Sequence, residues 1–195
     1  SYVLDANNFL NSLRNKYKLK IFSENEISKI LIFQNKSTNE ITDYIVKHFH
    51  EGLRKTMPEI NELLLTIMRK HIKEHKALFW KIHELFCKIK DLYEAHLILE
   101  EENVFPCMVQ LEKNQIDKFN EEYNKMIQGI NEAENEHSIT DPILEEIYLS
   151  TNGYSLPAHA CDNVKILYEK LKTFQDEIIA HTELENIILF PKYLK

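Results

Sequence analysis

Two blocks of this sequence repeat each other: His96-x-x-x-Glu100 followed by Phe105-Pro106, and His181-x-x-x-Glu185 followed by Phe190-Pro191. A histidine and a glutamate four residues apart share one face of a helix, a turn from each other. In both blocks that face is the apolar one. His96 continues the stripe Ile82, Leu85, Ile89 and Leu92, and His181 continues Val164, Leu167, Leu171, Phe174 and Ile178. A single such pair on an amphipathic helix is ordinarily a solvated surface pair; two copies in register with apolar stripes bring two carboxylates into one core. Each buried carboxylate is costly without a partner, and the second adds repulsion. Positive charge must sit between them. Divalent cations supply it, because carboxylates bridge two metals while imidazoles complete the coordination.

The rest of the chain is punctuated for helices. Only three glycines and five prolines break 195 residues, so few positions direct a turn. Ser37 and Glu40 have capping-box spacing, and Ile41, Ile45 and Phe49 follow at helical intervals, which predicts a first helix over about 38–56. Pro58 predicts a kink or break before the pattern resumes through Ile60, Leu64, Ile67 and His71. A second helix is expected over about 77–104, stopping before Pro106, and a third over about 114–140, kinked or ended by Pro142. A fourth is expected from near Pro157 to Pro191. Four amphipathic segments with short polar connections predict an all-α, antiparallel four-helix bundle. Residues 1–37 read as a helical appendage and 38–195 as the bundle domain.

A net charge of -7 excludes the basic surface that nucleic acids require. The first twenty residues carry no apolar leader core, and no stretch approaches the roughly 20 apolar residues of a membrane span. Cys87, Cys107 and Cys161 are widely spaced, without a CxxC pair, and fit reduced thiols. A soluble, cytoplasmic protein is expected.

Further ligands follow from register. His137 closes the stripe Ile116, Phe119, Tyr123, Met126, Ile130 and Ala133, and His50 falls in line with Val46, Leu53 and Met57. His71 stands 21 residues beyond His50, about 31 Å along a straight helix. It reaches the same site only if the chain bends near Pro58; otherwise water or another side chain takes its place. His48, His75, His83 and His159 fit surface or outer positions. Ferritin-like di-iron sites use mainly carboxylates with Glu-x-x-His pairs, whereas this chain has the reverse order and different spacing. The expectation is two non-haem iron ions, bridged by Glu100 and Glu185 and held by histidines.

The sequence resembles the hemerythrin-like proteins, and within them the repair-of-iron-centres family of di-iron proteins. The resemblance rests on His181, Glu185, Asn186, Leu189, Phe190 and Pro191 in the closing helix, on HLILEEENVFP from His96 to Pro106, on HEGLRKTMPEI from His50 to Ile60, and on Glu136-His137. It covers roughly residues 40–194, and by spacing it puts His71 in the ligand set. Many family members begin with a small domain containing adjacent cysteines; residues 1–40 here contain none. The resemblance implies a cytoplasmic stress-response protein that helps restore iron-sulfur clusters damaged by oxidative or nitrosative stress, with iron-sulfur proteins as clients.

Other readings compete with repair. A redox enzyme would bind and reduce nitric oxide at the iron pair. A carrier or sensor would bind dioxygen at an open coordination position. A plain helical interaction module would leave the two buried His/Glu pairs without an explanation.

Overall fold

The computed structural model describes residues 32–70, 76–114 and 120–194. Helices dominate these residues and no strand occurs among them, as the periodicity predicts. They build four rods. The first is α1 (Thr38–Ile45), a π turn (Val46–His50) and α2 (Glu51–Lys70). The second is α3 (Lys76–Leu99), a π turn (Glu100–Val104) and α4 (Phe105–Glu112). The third is a single helix, α5 (Glu121–Ser150). The fourth is α6 (Asp162–Leu184), a π turn (Glu185–Leu189) and a short 3-10 turn (Phe190–Lys192).

Side-chain pairs fix the rod directions. His50 meets Glu101 while Asn61 meets His83, so the first two rods run antiparallel. His96 meets Glu136 while Lys81 meets Glu146, and His50 meets His181 while Glu59 meets Lys170, which makes rods two and three, and one and four, antiparallel as well. The result is the expected antiparallel bundle.

Local chemistry sets the helix starts. The Ser37 hydroxyl accepts from the Glu40 amide while the Glu40 carboxylate accepts from the Ser37 amide, a complete capping box. Asn120 caps α5 by accepting from the Tyr123 amide at 2.8 Å. Glu112 accepts from the Thr38 amide at the start of α1, and the Thr38 hydroxyl meets that of Tyr193 at 2.6 Å. These contacts tie the beginning of the first rod to the ends of the second and fourth.

None of Pro58, Pro106 and Pro142 ends its rod. Helix α2 runs through Pro58 and α5 runs through Pro142 to Ser150 without ending. Both prolines are exposed, so the carbonyl each leaves without its i+4 donor lies on the wet side of the rod and can bond to water. Pro106 does not end the second rod but occupies the first turn of α4, where no amide hydrogen is needed. The fourth helix starts at Asp162 rather than near Pro157; the positive φ angles of Asn152, Gly153, Tyr154 and His159 keep the preceding connection non-helical. Of the expected appendage, residues 1–31 lie outside the described residues, and 32–37 form a turn leading into α1.

The interior has two apolar blocks. One contains Leu53, Met57, Ile60, Leu64, Ile82, Phe86, Ile89, Leu171 and Phe174. The other contains Ile41, Ile45, Val104, Phe105, Met108, Ile130, Leu189 and Phe190. Between them lies a buried layer of polar side chains.

Candidate metal centre

Six side chains make this layer. His50, Glu100, His181 and Glu185 are 0% exposed, His96 1% and His137 2%. Their donor atoms fall into two groups, each with all atoms within 4.8 Å: His50, Glu100, His181 and Glu185 in one, His96, Glu100, His137 and Glu185 in the other. Both glutamates belong to both groups. Within the first group, the His50 and His181 Nε2 atoms are 3.0 Å apart, and Glu100 Oε2 lies 3.3 Å from the former. In the second, the His96 and His137 Nε2 atoms are 3.2 Å apart, and His137 Nε2 lies 3.4 Å from Glu185 Oε2.

The outer nitrogens show which way the inner ones are prepared. His50 Nδ1 donates to Glu101 at 2.6 Å and His96 Nδ1 to Glu136 at 2.8 Å, since a carboxylate can only accept. His137 Nδ1 faces the Asn186 side-chain oxygen at 3.2 Å. Arg54 donates to Glu101 at 2.7 Å, extending the His50 chain to the surface. With Nδ1 carrying the hydrogen, each of these imidazoles turns a bare Nε2 lone pair toward the centre. Lone pairs about 3 Å apart repel unless a positive charge lies between them. The carboxylate oxygens Oε1 and Oε2 of Glu100 and Glu185 are buried with no hydrogen-bond partner, a costly state that a cation relieves. The donor set, imidazole nitrogen with carboxylate oxygen, suits iron, zinc or manganese. The residues present therefore fit a bound metal.

Without a cation the groups exchange protons. Burial opposes charge on His181, but the charges of Glu185, whose Oε1 lies 2.7 Å from its Nε2, and of Glu100 hold its imidazole up at about 10. Burial, then the neighbouring His96, presses His137 down to about 3. Glu100 is held well below the carboxylate range, against burial, by His96, His181 and His50, while Glu185 is pushed up by burial and by the charge of Glu100. The two carboxylates share one environment yet move oppositely, so the proton they contest belongs to the pair. Protons here stand where metal charge would be.

Each π turn lies at the centre. One ends on His50, one begins at Glu100 and one at Glu185. The amide of Glu51 bonds to the Val46 carbonyl, that of Phe105 to Glu100 and that of Phe190 to Glu185, each five residues back. These wide turns shift the helical phase at the ligand positions. The Phe-Pro repeat follows from them: each phenylalanine closes a π turn, and the proline after it opens the next turn. The Phe105 ring stacks on His50 at 5.8 Å and Phe190 on His137 at 6.3 Å. Each copy of the motif thus covers an imidazole from another rod.

The structure gathers His50, His96, Glu100, His137, His181 and Glu185 into one centre. His71, whose placement depended on a break or strong kink near Pro58, lies outside the described residues; α2 is unbroken as far as Lys70. Register analysis missed Glu101 and Arg54 and gave Glu136 and Asn186 no role. A signal was present: Glu101, Glu136 and Asn186 are chain neighbours of Glu100, His137 and Glu185, and a neighbour on a helix points about 100° away, toward the adjacent rod.

The family model of the hemerythrin HHE cation binding domain matches residues 42–193. The chain is similar to the iron-sulfur cluster repair protein ScdA of Staphylococcus haemolyticus, 24% identical over 154 residues that cover 78% of this chain and 66% of that protein. It is 26% identical over 183 residues to ScdA of Staphylococcus epidermidis, covering 94% of this chain and 78% of that protein. The iron-sulfur cluster repair protein YtfE of Escherichia coli O81 is 26% identical over 155 residues, 80% of this chain and 66% of that protein. The chain spans just under two thirds of the first and third of these relatives.

Proposed function

The chain belongs to the hemerythrin HHE cation-binding family, and on that premise we propose a non-haem di-iron protein that takes part in repairing iron-sulfur clusters damaged by oxidative or nitrosative stress. His50 and His181 hold one iron in this reading, His96 and His137 the other, and Glu100 and Glu185 bridge both. The observation that carries it is the pair of four-residue groups sharing two glutamates whose oxygens have no hydrogen-bond donor. Similarity to proteins named for iron-sulfur cluster repair supports the role.

When bound, the iron pair supplies Lewis acidity and redox equivalents. The protein's own contribution is positional. Glu101, Glu136 and Asn186 fix the imidazole tautomers, Phe105 and Phe190 cover two rings, and burial excludes bulk water. The six residues offer each ion two imidazoles and two carboxylate oxygens, which leaves room for a small ligand such as nitric oxide or dioxygen. Iron-sulfur proteins are the proposed clients, and the bundle domain is proposed to span 38–195 with 1–37 appended. The cytoplasm is the proposed compartment. No helix among the described residues is long and apolar enough to cross a membrane, and the three cysteines form no disulfide.

The test is iron analysis and Mössbauer spectroscopy of the purified protein, followed by incubation with an apo-cluster protein and, separately, nitric oxide. Two irons per chain, with cluster reassembly in the acceptor, is the expected result. Nitrous oxide release without iron transfer would replace repair by reduction, a stable dioxygen adduct would favour carriage, and protein without iron would remove the reading.

A further inference from the structure

The bundle has an internal two-fold relation. His96 and Glu100 with Phe105 on the second rod correspond to His181 and Glu185 with Phe190 on the fourth, and His50 on the first corresponds to His137 on the third. Glu101, which holds His50, then corresponds to Asn186, which holds His137. Glu136, the residue before His137, holds His96. Its counterpart is Phe49, the residue before His50, whose ring packs against His181 at 5.6 Å and offers no acceptor. His181 Nδ1 is accordingly buried without a partner.

Six buried side-chain atoms among the described residues have no hydrogen-bond partner. The four carboxylate oxygens of Glu100 and Glu185 are answered by the proposed metals. The other two are His181 Nδ1 and Glu177 Oε2, one able to donate and one to accept. They lie on the same helix four residues apart, hence on one face. Glu177 leans on the first rod beside His50: its Oε2 lies 3.8 Å from the position a Cβ on Gly52 would take. Burial pushes its carboxyl up.

We propose that Glu177 is the positioning residue for His181, accepting from its Nδ1 through one bridging water and so supplying the acceptor that Phe49 cannot. A water in that place satisfies both orphaned atoms, and such a bridge holds nearly as well as a direct bond. The role rests on the metal reading above, because fixing the Nδ1 hydrogen matters most when Nε2 is a ligand.

The test uses iron-loaded, reduced protein and follows the exchangeable imidazole N–H resonances, shifted by the metals and assigned through single histidine variants. In Glu177→Ala the His181 resonance should shift and exchange faster with solvent while those of His50, His96 and His137 stay in place. Iron affinity should fall by about 10–100-fold. Glu177→Gln keeps an acceptor oxygen and should restore the His181 signal, which a merely structural role would not require. An unchanged His181 resonance in Glu177→Ala, in protein with two irons, would overturn the proposal while leaving the metal reading intact. Wild-type protein that holds no iron would overturn both.

Discussion

The two apolar blocks on either side of the polar layer are built by different means. The block around Phe86 and Phe174 joins straight α-helical stretches, and its residues recur at intervals of three and four: Leu53, Met57, Ile60, Leu64, Ile67 on the first rod, Ile82, Phe86, Ile89, Tyr93 on the second. The block around Phe105 and Phe190 lies across a π turn from the first on three rods, where the helical phase has shifted, while its Met126, Ile130 and Ala133 come from the uninterrupted α5. The first block holds the rods together; the second also holds the centre, because its phenylalanines stack on His50 and His137. The first block touches the centre only at Tyr93, whose ring lies 5.2 Å from His96 and 6.2 Å from His181; away from Tyr93, stability and metal binding are separable on that side of the layer and joined on the other.

The largest expected effect lies in the layer between them. Glu185→Gln should abolish binding of both irons, since both groups share Glu185. It should also lower the stability of the metal-free protein near neutral pH, because Glu185 supplies the charge that holds His181 protonated, 2.7 Å away in the core. Metal analysis beside thermal melts of chelated samples checks both halves; two retained irons would end the bridging assignment.

Next come matched truncations, one per block. Phe86→Ala and Phe190→Ala should each cost about 3–5 kcal/mol by urea unfolding, both side chains being fully buried. Iron per folded chain should drop only in Phe190→Ala, which uncovers His137. Equal iron loss in the two would show that the blocks are not separable.

How much of this was legible follows the same divide. Periodicity gave the four amphipathic rods, the first block and, of the second, Ile41, Ile45, Met126, Ile130 and Ala133, and the repeated His-x-x-x-Glu pairs marked four of the six central residues. The π turns were not legible, because the 3.6-residue period assumes a phase that these turns change; the end expected before Pro106 failed alongside them. A proline reads as a stop only if its missing bond faces the interior, and periodicity alone does not say which carbonyl Pro58 or Pro142 leaves wet. Glu101 and Arg54 escaped because their function lies between rods rather than along one.

The polar layer should also make the metal-free protein sensitive to pH in both directions. His181 rises from 6.5 to about 10 on folding, so its contribution is complete below about 6.5 and is lost as pH climbs through 10. His137 falls from 6.5 to about 3, so the unfolded chain takes up the extra proton and stability declines as pH drops from 6.5 toward 3. Chelated protein should be most stable between these limits. With iron bound, the alkaline decline should vanish, because the metal replaces the proton that His181 would lose. Urea midpoints across pH, with and without chelator, would decide it; parallel curves for the two forms would contradict the assignment of His181 to the metal.

The smallest effect is also the finest comparison, between two helix-interior glycines. Gly52 in α2 has open surroundings: an added Cβ would meet only Glu177 Oε2, at 3.8 Å, an ordinary contact. Gly129 in α5 faces the π turn that begins at Glu100, and an added Cβ would stand 2.7 Å from Val104 Cγ2. Alanine is the better helix former by about 1 kcal/mol at either position. At Gly52 nothing offsets that gain, so Gly52→Ala should stabilise by about that amount. At Gly129 the clash falls on a β-branched side chain whose rotamer is stiff, and overpacking of this kind costs about 1–3 kcal/mol. Gly129→Ala should therefore destabilise by about 1 kcal/mol net, and it should loosen iron because the displaced Val104 ends the turn that carries Glu100. Opposite signs in urea unfolding are the expected result; stabilisation by both alanines would show that the π turn on the second rod tolerates displacement.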